Sequence, residues 1–157
     1  MADLFPPDVG MSHVRGIVSI IRQNGGQVSM SKLAEETEED VDDLLPLLEA
    51  SKILGFVKIT KSSVRITDKG VKLASGAPRS IIRESLIKIE PFKSTIKALS
   101  GGNKTTQELF EELSARNVFP KEGPHSSETL LKILLAWGVR SKLLSYNEQT
   151  DTWILNP

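Results

Sequence analysis

The sequence predicts an α+β protein that is mainly α-helical, carries small β-hairpins and consists of two similar units in tandem. Apolar residues recur at helical spacing through most of the chain, and each half contains one pair of short alternating segments. Ser75–Pro78 is the only mid-chain cluster of small and turn residues, which predicts a boundary there. Because both halves follow the order helix, helix, helix, hairpin, we predict tandem winged helix-turn-helix units. The chain is predicted to consist of a flexible N-terminal arm over residues 1–10, a first unit over 11–78 and a second unit over 79–157.

The first unit opens with an amphipathic helix, which Asn24–Gly26 ends. Its apolar stripe consists of Val14, Ile17, Val18 and Ile21. Val28 fits a short strand, and Ser29 is a suitable cap for a short second helix. Thr37, with Asp40 three residues later, resembles a capping box and predicts the start of the third helix. The core stripe predicted for this helix reads Val41, Leu44, Leu45 and Leu48.

The rest of the first unit is predicted as a β-hairpin and a short helix. Pro46 is expected to bend the preceding third helix near its middle, because proline lacks a backbone donor. Alternating residues on both sides of the polar turn Lys61–Ser63 predict the hairpin, which would be the wing. These residues are Phe56, Val57, Ile59, Val64 and Ile66. Thr67–Gly70 then leads into the last short helix.

The second half repeats this plan with different residues. A long first helix broken by Pro91 is predicted, and Thr105 with Glu108 forms a capping box for the next helix. Ser126 is a suitable cap for the third helix, and the polar turn Asn147–Asp151 joins the strands of a second hairpin. Most of the third helix is expected to be buried, because Leu131 and Leu135 broaden the stripe of Leu130, Ile133, Leu134 and Trp137.

Composition narrows the classes of function. The 157 residues include 20 Lys and Arg against 20 Asp and Glu, so no net charge attracts the protein to nucleic acid or anionic lipid. The absence of cysteine excludes disulfides and thiolate chemistry and is consistent with an intracellular protein. No run of about 18 apolar residues occurs, so no membrane insertion is expected. A cytoplasmic location is predicted.

Catalytic and metal-binding patterns are not found in the sequence. His13 and His125 lie in different predicted units, and neither has a second ligand at metal-binding spacing. The Gly-x-x-x-x-Gly-Lys-Ser/Thr motif that cradles nucleotide phosphates does not occur. We therefore expect a non-enzymatic protein with no catalytic residues, no metal and no cofactor.

Basic and polar residues at two places are candidates for contact with nucleic acid. The predicted wing of the first unit and the region around the third helix of the second unit correspond to the parts of a winged helix that meet DNA. The candidates are Lys58, Lys61, Arg65, Lys104, Lys121, His125, Ser126, Ser127, Thr129 and Lys132. They support a transcriptional regulator that binds DNA as a homodimer.

Acidic residues at the predicted start of the first unit's third helix favour a different partner. Carboxylates at this position repel phosphates, so this helix is not expected to read the major groove. They are candidates for a protein-interaction face, which comprises Glu38, Glu39, Asp42 and Asp43.

Two segments resemble the C-terminal AAA-associated domain family. The first is the acidic Leu-Leu-Pro segment Asp40–Ala50 with its continuation to Phe56, and the second is Ala136–Gly138 followed by Leu144–Asn147 and the strand from Trp153. Members of this family usually follow the ATP-binding subunit of nitrate-, sulfonate- and taurine-type ABC importers. The resemblance implies a regulatory or interaction module whose partner is an ABC-type ATPase, here expected as a free-standing copy.

The sequence therefore predicts a non-enzymatic winged-helix module for regulation or protein interaction. The alternative is a winged-helix transcriptional regulator that binds DNA. An acidic third helix and the family resemblance favour the first, whereas only the analogy of fold favours the second.

Overall fold

The computed structural model describes residues 5–76, 78–120 and 126–157. In these parts of the chain it contains eight α-helices and two antiparallel three-stranded sheets, which confirms the α+β class. The chain divides into two compact units. The first unit is Val9–Ile82, and the second is Arg83–Pro157 together with the N-terminal residues up to Asp8.

The first unit contains four helices and one sheet. Its elements are α1 (Met11–Gln23), β1 (Gln27–Ser29), α2 (Met30–Thr37), α3 (Val41–Ile53), β2 (Val57–Thr60), β3 (Ser63–Ile66) and α4 (Asp68–Ser75). The strands lie in the order β1-β3-β2, so the last strand is central. The two strands of the predicted hairpin pair from Val57 opposite Ile66 to Thr60 opposite Ser63.

The second unit presents a similar series of elements. The division between the units falls within α5 (Pro78–Leu86). The elements that follow are α6 (Phe92–Leu99), β4 (Lys104–Thr105), α7 (Thr106–Ala115), α8 (Ser127–Ile133), a π-helical segment (Leu134–Val139), β5 (Leu144–Asn147) and β6 (Thr152–Leu155). The sheet order is β4-β6-β5, which again places the last strand in the centre.

The core of the first unit follows the predicted helical periodicity for α1. All four residues of the α1 stripe are buried: Val14, Ile17, Val18 and Ile21. Leu33 from α2 and Leu44 and Leu48 from α3 are also buried. The Ser29 hydroxyl accepts a hydrogen bond from the backbone N–H of Lys32 at 3.1 Å, so the predicted cap of α2 is confirmed.

The predicted start of the third helix at Thr37 is wrong. Thr37 is the last residue of α2, and its hydroxyl donates to the carbonyl oxygen of Leu33 at 2.8 Å instead of capping a new helix. Glu38 then takes a left-handed conformation with φ 57°, which ends α2. Asp40 is the residue before α3, and α3 runs on without a break through Pro46.

A close approach between α4 and Phe56, the residue before β2, requires a glycine at position 70. A Cβ atom on Gly70 would lie 2.3 Å from the carbonyl oxygen of Phe56, which is far inside contact distance. The Thr67 hydroxyl accepts from the backbone N–H of Gly70 at 3.1 Å and donates to the carbonyl oxygen of Gly55 at 2.7 Å. These contacts fix the start of α4 against the first residues after α3.

The long proline-broken helix predicted for the second unit consists of two separate helices. α5 ends at Leu86 and α6 begins at Phe92, and the peptide bond between Glu90 and Pro91 is cis. The Glu90 carboxylate accepts hydrogen bonds from the backbone N–H of Ser94 at 2.8 Å and from its hydroxyl at 2.6 Å. These bonds satisfy a free donor in the first turn of α6, so a new helix starts there.

The aromatic core of the second unit includes a residue from the N-terminus. Phe5 is 1% exposed and packs edge-on against Phe92 and Trp137, with ring centroids 5.6 Å and 5.1 Å apart. Trp137 and Trp153 are both fully buried, and the burial of Trp137 agrees with its predicted place in the helical stripe. Phe5 therefore belongs to the packing of the second unit.

The third helix of the second unit changes to π-helical geometry at Leu134. The predicted stripe of Leu130, Ile133, Leu134 and Trp137 is buried, but Leu135 is 37% exposed, so the expectation that it broadens the buried face is wrong. A Cβ atom on Gly138 would lie 2.7 Å from Cδ1 of Leu144. The absence of a side chain at position 138 thus lets the π-helical segment pack closely on β5.

A polar network joins the second hairpin to the start of α7. Asp151 Oδ1 accepts hydrogen bonds from the Thr106 hydroxyl at 2.5 Å and the Tyr146 hydroxyl at 2.7 Å. The indole N–H of Trp153 donates to Thr106 Oγ1 at 2.8 Å. The bond from Thr106 is the main cause that holds the pKa of Asp151 below its ordinary value, and the bond to Asp151 raises the pKa of Tyr146.

The predicted capping box at the start of α7 is confirmed. The backbone N–H of Thr105 donates to the Glu108 carboxylate at 2.8 Å, and the Thr105 hydroxyl accepts from the backbone N–H of Glu108 at 3.2 Å. The backbone bond from Thr105, followed by its side-chain bond, lowers the pKa of Glu108.

Candidate interaction surfaces

One edge of the apolar stripe of α3 is exposed, although the sequence pattern assigned the whole stripe to the core. Val41 is 39% exposed and Leu45 is 48% exposed, so two of the four residues in the predicted core stripe are misplaced. Successive helical residues are about 100° apart, so positions 41 and 45 are neighbours one turn apart, at the edge of the stripe that Leu44 and Leu48 bury. Val41 and Leu45 together form an exposed apolar pair, which we call the α3 patch.

Carboxylates surround the α3 patch along the sequence. Glu38 and Glu39 lie in the connection between α2 and α3, and Asp42 and Asp43 lie in the first turn of α3; all four are exposed. The four acidic candidates are therefore all exposed, although only two of them are helical. Acidic residues in the first turn also interact favourably with the positive end of the helix dipole.

The hairpin β2–β3 places two of its three basic candidates side by side. Lys58 is directly opposite Arg65 in the antiparallel pairing, so the two exposed side chains share one face of the sheet. Lys61 lies in the turn between the strands and is also exposed. No salt bridge to Lys58 or Arg65 is present within the described residues.

A cleft at the base of this hairpin adds a third basic side chain. The cleft has a volume of about 420 Å³, and Lys58 and Arg65 line it together with Lys69 from the first turn of α4. Lys69 Nζ lies 5.9 Å from the centroid of the Phe56 ring. The sequence pattern gave no sign of Lys69, because its place at the cleft depends on how the first turn of α4 lies against Gly55 and Phe56.

The described basic and polar candidates of the second unit are distributed over β4, α8 and the residue before α8. Thr129 and Lys132 are three residues apart and thus neighbours on α8, whereas Ser127 points to another side of this helix. Ser126 precedes α8 as predicted, but its side chain makes no capping hydrogen bond. Lys104 lies in β4. Lys121 and His125 lie outside the described residues.

Lys132 already has an acidic neighbour in the same unit. Its ammonium group lies 3.6 Å from Asp8 Oδ1, and both side chains are largely exposed. Such an exposed pair contributes little stability, but the carboxylate offsets the positive charge that a phosphate would meet. The basic side chains of the first hairpin have no such neighbour among the described residues.

The comparison with protein families agrees with the resemblance seen in the sequence. The family model of the C-terminal AAA-associated domain matches residues 31–147, which run from α2 to the end of β5. The chain belongs to this family. No curated protein and no solved structure gives a significant match to the chain.

Residues 31–147 of this AAA-associated domain include both the α3 patch and the basic cleft. The match also covers the π-helical segment and Gly138. In the described parts of the chain, no helix combines the length and the apolar character needed to cross a membrane.

Proposed function

We propose that this AAA-associated domain is a non-enzymatic regulatory or protein-interaction module built from two winged helices. Each unit has the order helix, short strand, helix, helix, hairpin, and each hairpin would be the wing. In both sheets the last strand lies between the other two. The family membership, together with the relatives' usual place beside ABC-type ATPases, makes such an ATPase the proposed partner.

Exposure of the α3 patch is the observation that carries the interaction proposal. In a winged-helix unit with this order of elements, α3 would be the helix that reads the major groove of DNA. Here it presents Val41 and Leu45 to solvent beside Asp42 and Asp43. Carboxylates repel phosphates, whereas covering the two apolar side chains would contribute roughly 1 kcal/mol each to a complex. The surface therefore suits a protein partner with apolar residues and a basic margin.

A direct binding measurement tests this proposal. The intact chain is titrated by calorimetry into a purified ATP-binding subunit of a nitrate-, sulfonate- or taurine-type ABC importer from the same organism. Replacing Leu45 with Ser is expected to weaken binding about tenfold, because truncation at the centre of an interface commonly costs 1 to 2 kcal/mol.

Leu135→Ser is the matched control, because Leu135 is a leucine of the π-helical segment with similar exposure. Its effect should stay below about twofold. Absence of binding by the unmodified chain rejects the ATPase as partner. Equal weakening by both substitutions rejects the α3 patch as the docking surface.

The DNA-binding alternative rests on the hairpin of the first unit. Lys58 and Arg65 lie opposite each other on the strands, where a wing would meet the phosphate backbone. Specific DNA binding would add a homodimer that reads two half-sites. Steep loss of duplex binding as salt increases, measured by fluorescence anisotropy, would favour this function over the interaction module.

A further inference from the structure

We propose that the cleft at the base of the β2–β3 hairpin binds the phosphate group of a small ligand. This site is separate from the α3 patch and goes beyond the interaction function proposed above. The proposal starts from three basic side chains that line a cleft in the first unit. The residues used below are Gly55, Lys58, Arg65, Thr67, Asp68 and Lys69.

The pairing of Lys58 with Arg65 is unfavourable unless an anion is present. Residues directly opposite each other in an antiparallel pair have Cβ atoms about 5 Å apart, and like charges at this separation destabilise a sheet. The other strand beside β3 offers no compensation, because the residue opposite Arg65 there is the neutral Gln27. A bound dianion would remove this repulsion and gain two charge-assisted hydrogen bonds.

Lys69 is held at the same cleft by the local backbone. A Cβ atom added to Gly55 would lie 3.6 Å from Lys69 Cδ and 3.8 Å from Nζ, so the lysine side chain lies over this glycine. Gly55 has φ +86°, a conformation that glycine adopts without strain. The ammonium group is therefore placed beside the cleft that Lys58 and Arg65 line, and it does not extend freely into solvent.

Asp68 is the only carboxylate among the residues that line the described cleft, where the exposed cations Lys58 and Arg65 lie opposite each other. The Thr67 hydroxyl is already engaged with Gly55 and Gly70, so recognition depends on the three cations. Arginine binds phosphate oxygens in pairs through its planar guanidinium group, and lysine contributes a point charge. The volume of about 420 Å³ is at the lower end of the range for small-ligand sites.

A small phosphate ligand fits the surroundings better than a nucleic acid. The chain has no net charge, and the same unit carries the four exposed carboxylates around α3. A duplex would bring many phosphates to the surface and would meet these carboxylates as well. A single phosphate or diphosphate group needs only the cleft.

The test is an NMR titration of the intact chain with inorganic pyrophosphate, at an ionic strength kept constant with sodium chloride. Saturable shifts of the amide signals of Gly55, Thr67 and Lys69 are expected. Arg65→Gln should raise the apparent Kd about tenfold, because hydrogen bonds between charged groups contribute more binding free energy than hydrogen bonds between neutral groups. Lys61→Gln is the matched control, because it removes one exposed charge of the same hairpin outside the cleft. It should change the Kd by less than about twofold.

Three results overturn the proposal. Shifts that fail to saturate show that phosphate only screens surface charge. Equal weakening by Arg65→Gln and Lys61→Gln shows that the cleft is not the site. The third result is saturation of the same amide signals by a short random-sequence DNA duplex but not by pyrophosphate. That result would mean that the hairpin binds nucleic acid. The NMR spectrum of each variant without ligand shows whether the fold is retained.

Discussion

The third helices of the two units have comparable sequence patterns but bury their apolar residues differently. In α8 and the π-helical segment that follows it, the four residues of the predicted stripe are all buried, and Trp137 packs on Phe5. In α3, half of the predicted stripe is exposed. The second unit thus uses its third helix mainly to build a core, whereas the first unit leaves part of the apolar stripe of its third helix exposed. A similar series of elements can therefore bury its apolar residues to a different extent within one chain.

The largest effect is expected where the second unit depends on an aromatic residue far away in sequence. Phe5→Ala should destabilise the second unit by about 3 to 5 kcal/mol, because it removes a buried ring from contact with Phe92 and Trp137. Both tryptophans of the chain lie in this unit, so tryptophan fluorescence during urea unfolding reports on it selectively.

Substitution of an exposed residue next to this contact provides the control. Asp8→Ala removes the exposed ion pair with Lys132 and should change the free energy of unfolding by less than about 1 kcal/mol. An unchanged fluorescence midpoint for Phe5→Ala would show that the N-terminal ring adds nothing to the core of the second unit.

A smaller effect is expected from the polar network of the second hairpin, which the first hairpin lacks. Hydrogen bonds to the Asp151 carboxylate lower its pKa in the folded state, so the folded state binds this proton less readily than the unfolded chain. The resulting stabilisation is complete above the ordinary pKa of aspartate, about 3.9, and is lost as the pH falls through the lower folded value. Urea midpoints followed by tryptophan fluorescence should therefore decrease as the medium becomes acidic.

Asp151→Asn removes the negative charge of the side chain and retains the backbone conformation. Asp151 has φ 49°, and asparagine tolerates this left-handed region. The variant should lose about 1 to 2 kcal/mol at neutral pH, the size expected for hydrogen bonds to a charged group, and should show a flatter dependence on acid. A dependence identical to that of the unmodified chain would assign the acid sensitivity to other carboxylates.

Local signals in the sequence predicted much of this fold. The stripe of α1, the Ser29 cap and the Thr105–Glu108 capping box depend on neighbouring residues, and all three are confirmed. The start of α3 was misplaced because the Thr37 hydroxyl bonds back to Leu33 within α2. Sequence spacing does not show which of these two local hydrogen bonds a threonine will make.

Contacts between distant residues explain what the sequence did not predict. The burial of Phe5 depends on Phe92 and Trp137, and the position of Lys69 depends on how the first turn of α4 lies against Gly55 and Phe56. On α3, helical periodicity identified the apolar residues, but their number exceeds what the core of this small unit covers. The acidic candidates were easier to place, since charged residues near a helix start are expected at the surface.

The smallest effect on stability is expected at the α3 patch. Its exposed Leu45 can be compared directly with the adjacent buried Leu44. Leu45→Ala should change the free energy of unfolding by less than about 0.5 to 1 kcal/mol, because Leu45 is 48% exposed and leaves no cavity. Leu44→Ala should cost about 2 to 5 kcal/mol, because Leu44 is fully buried. Urea unfolding followed by far-UV circular dichroism measures both. Similar losses for the two variants would mean that Leu45 belongs to the core in solution, and the interaction surface on α3 would then have to be abandoned.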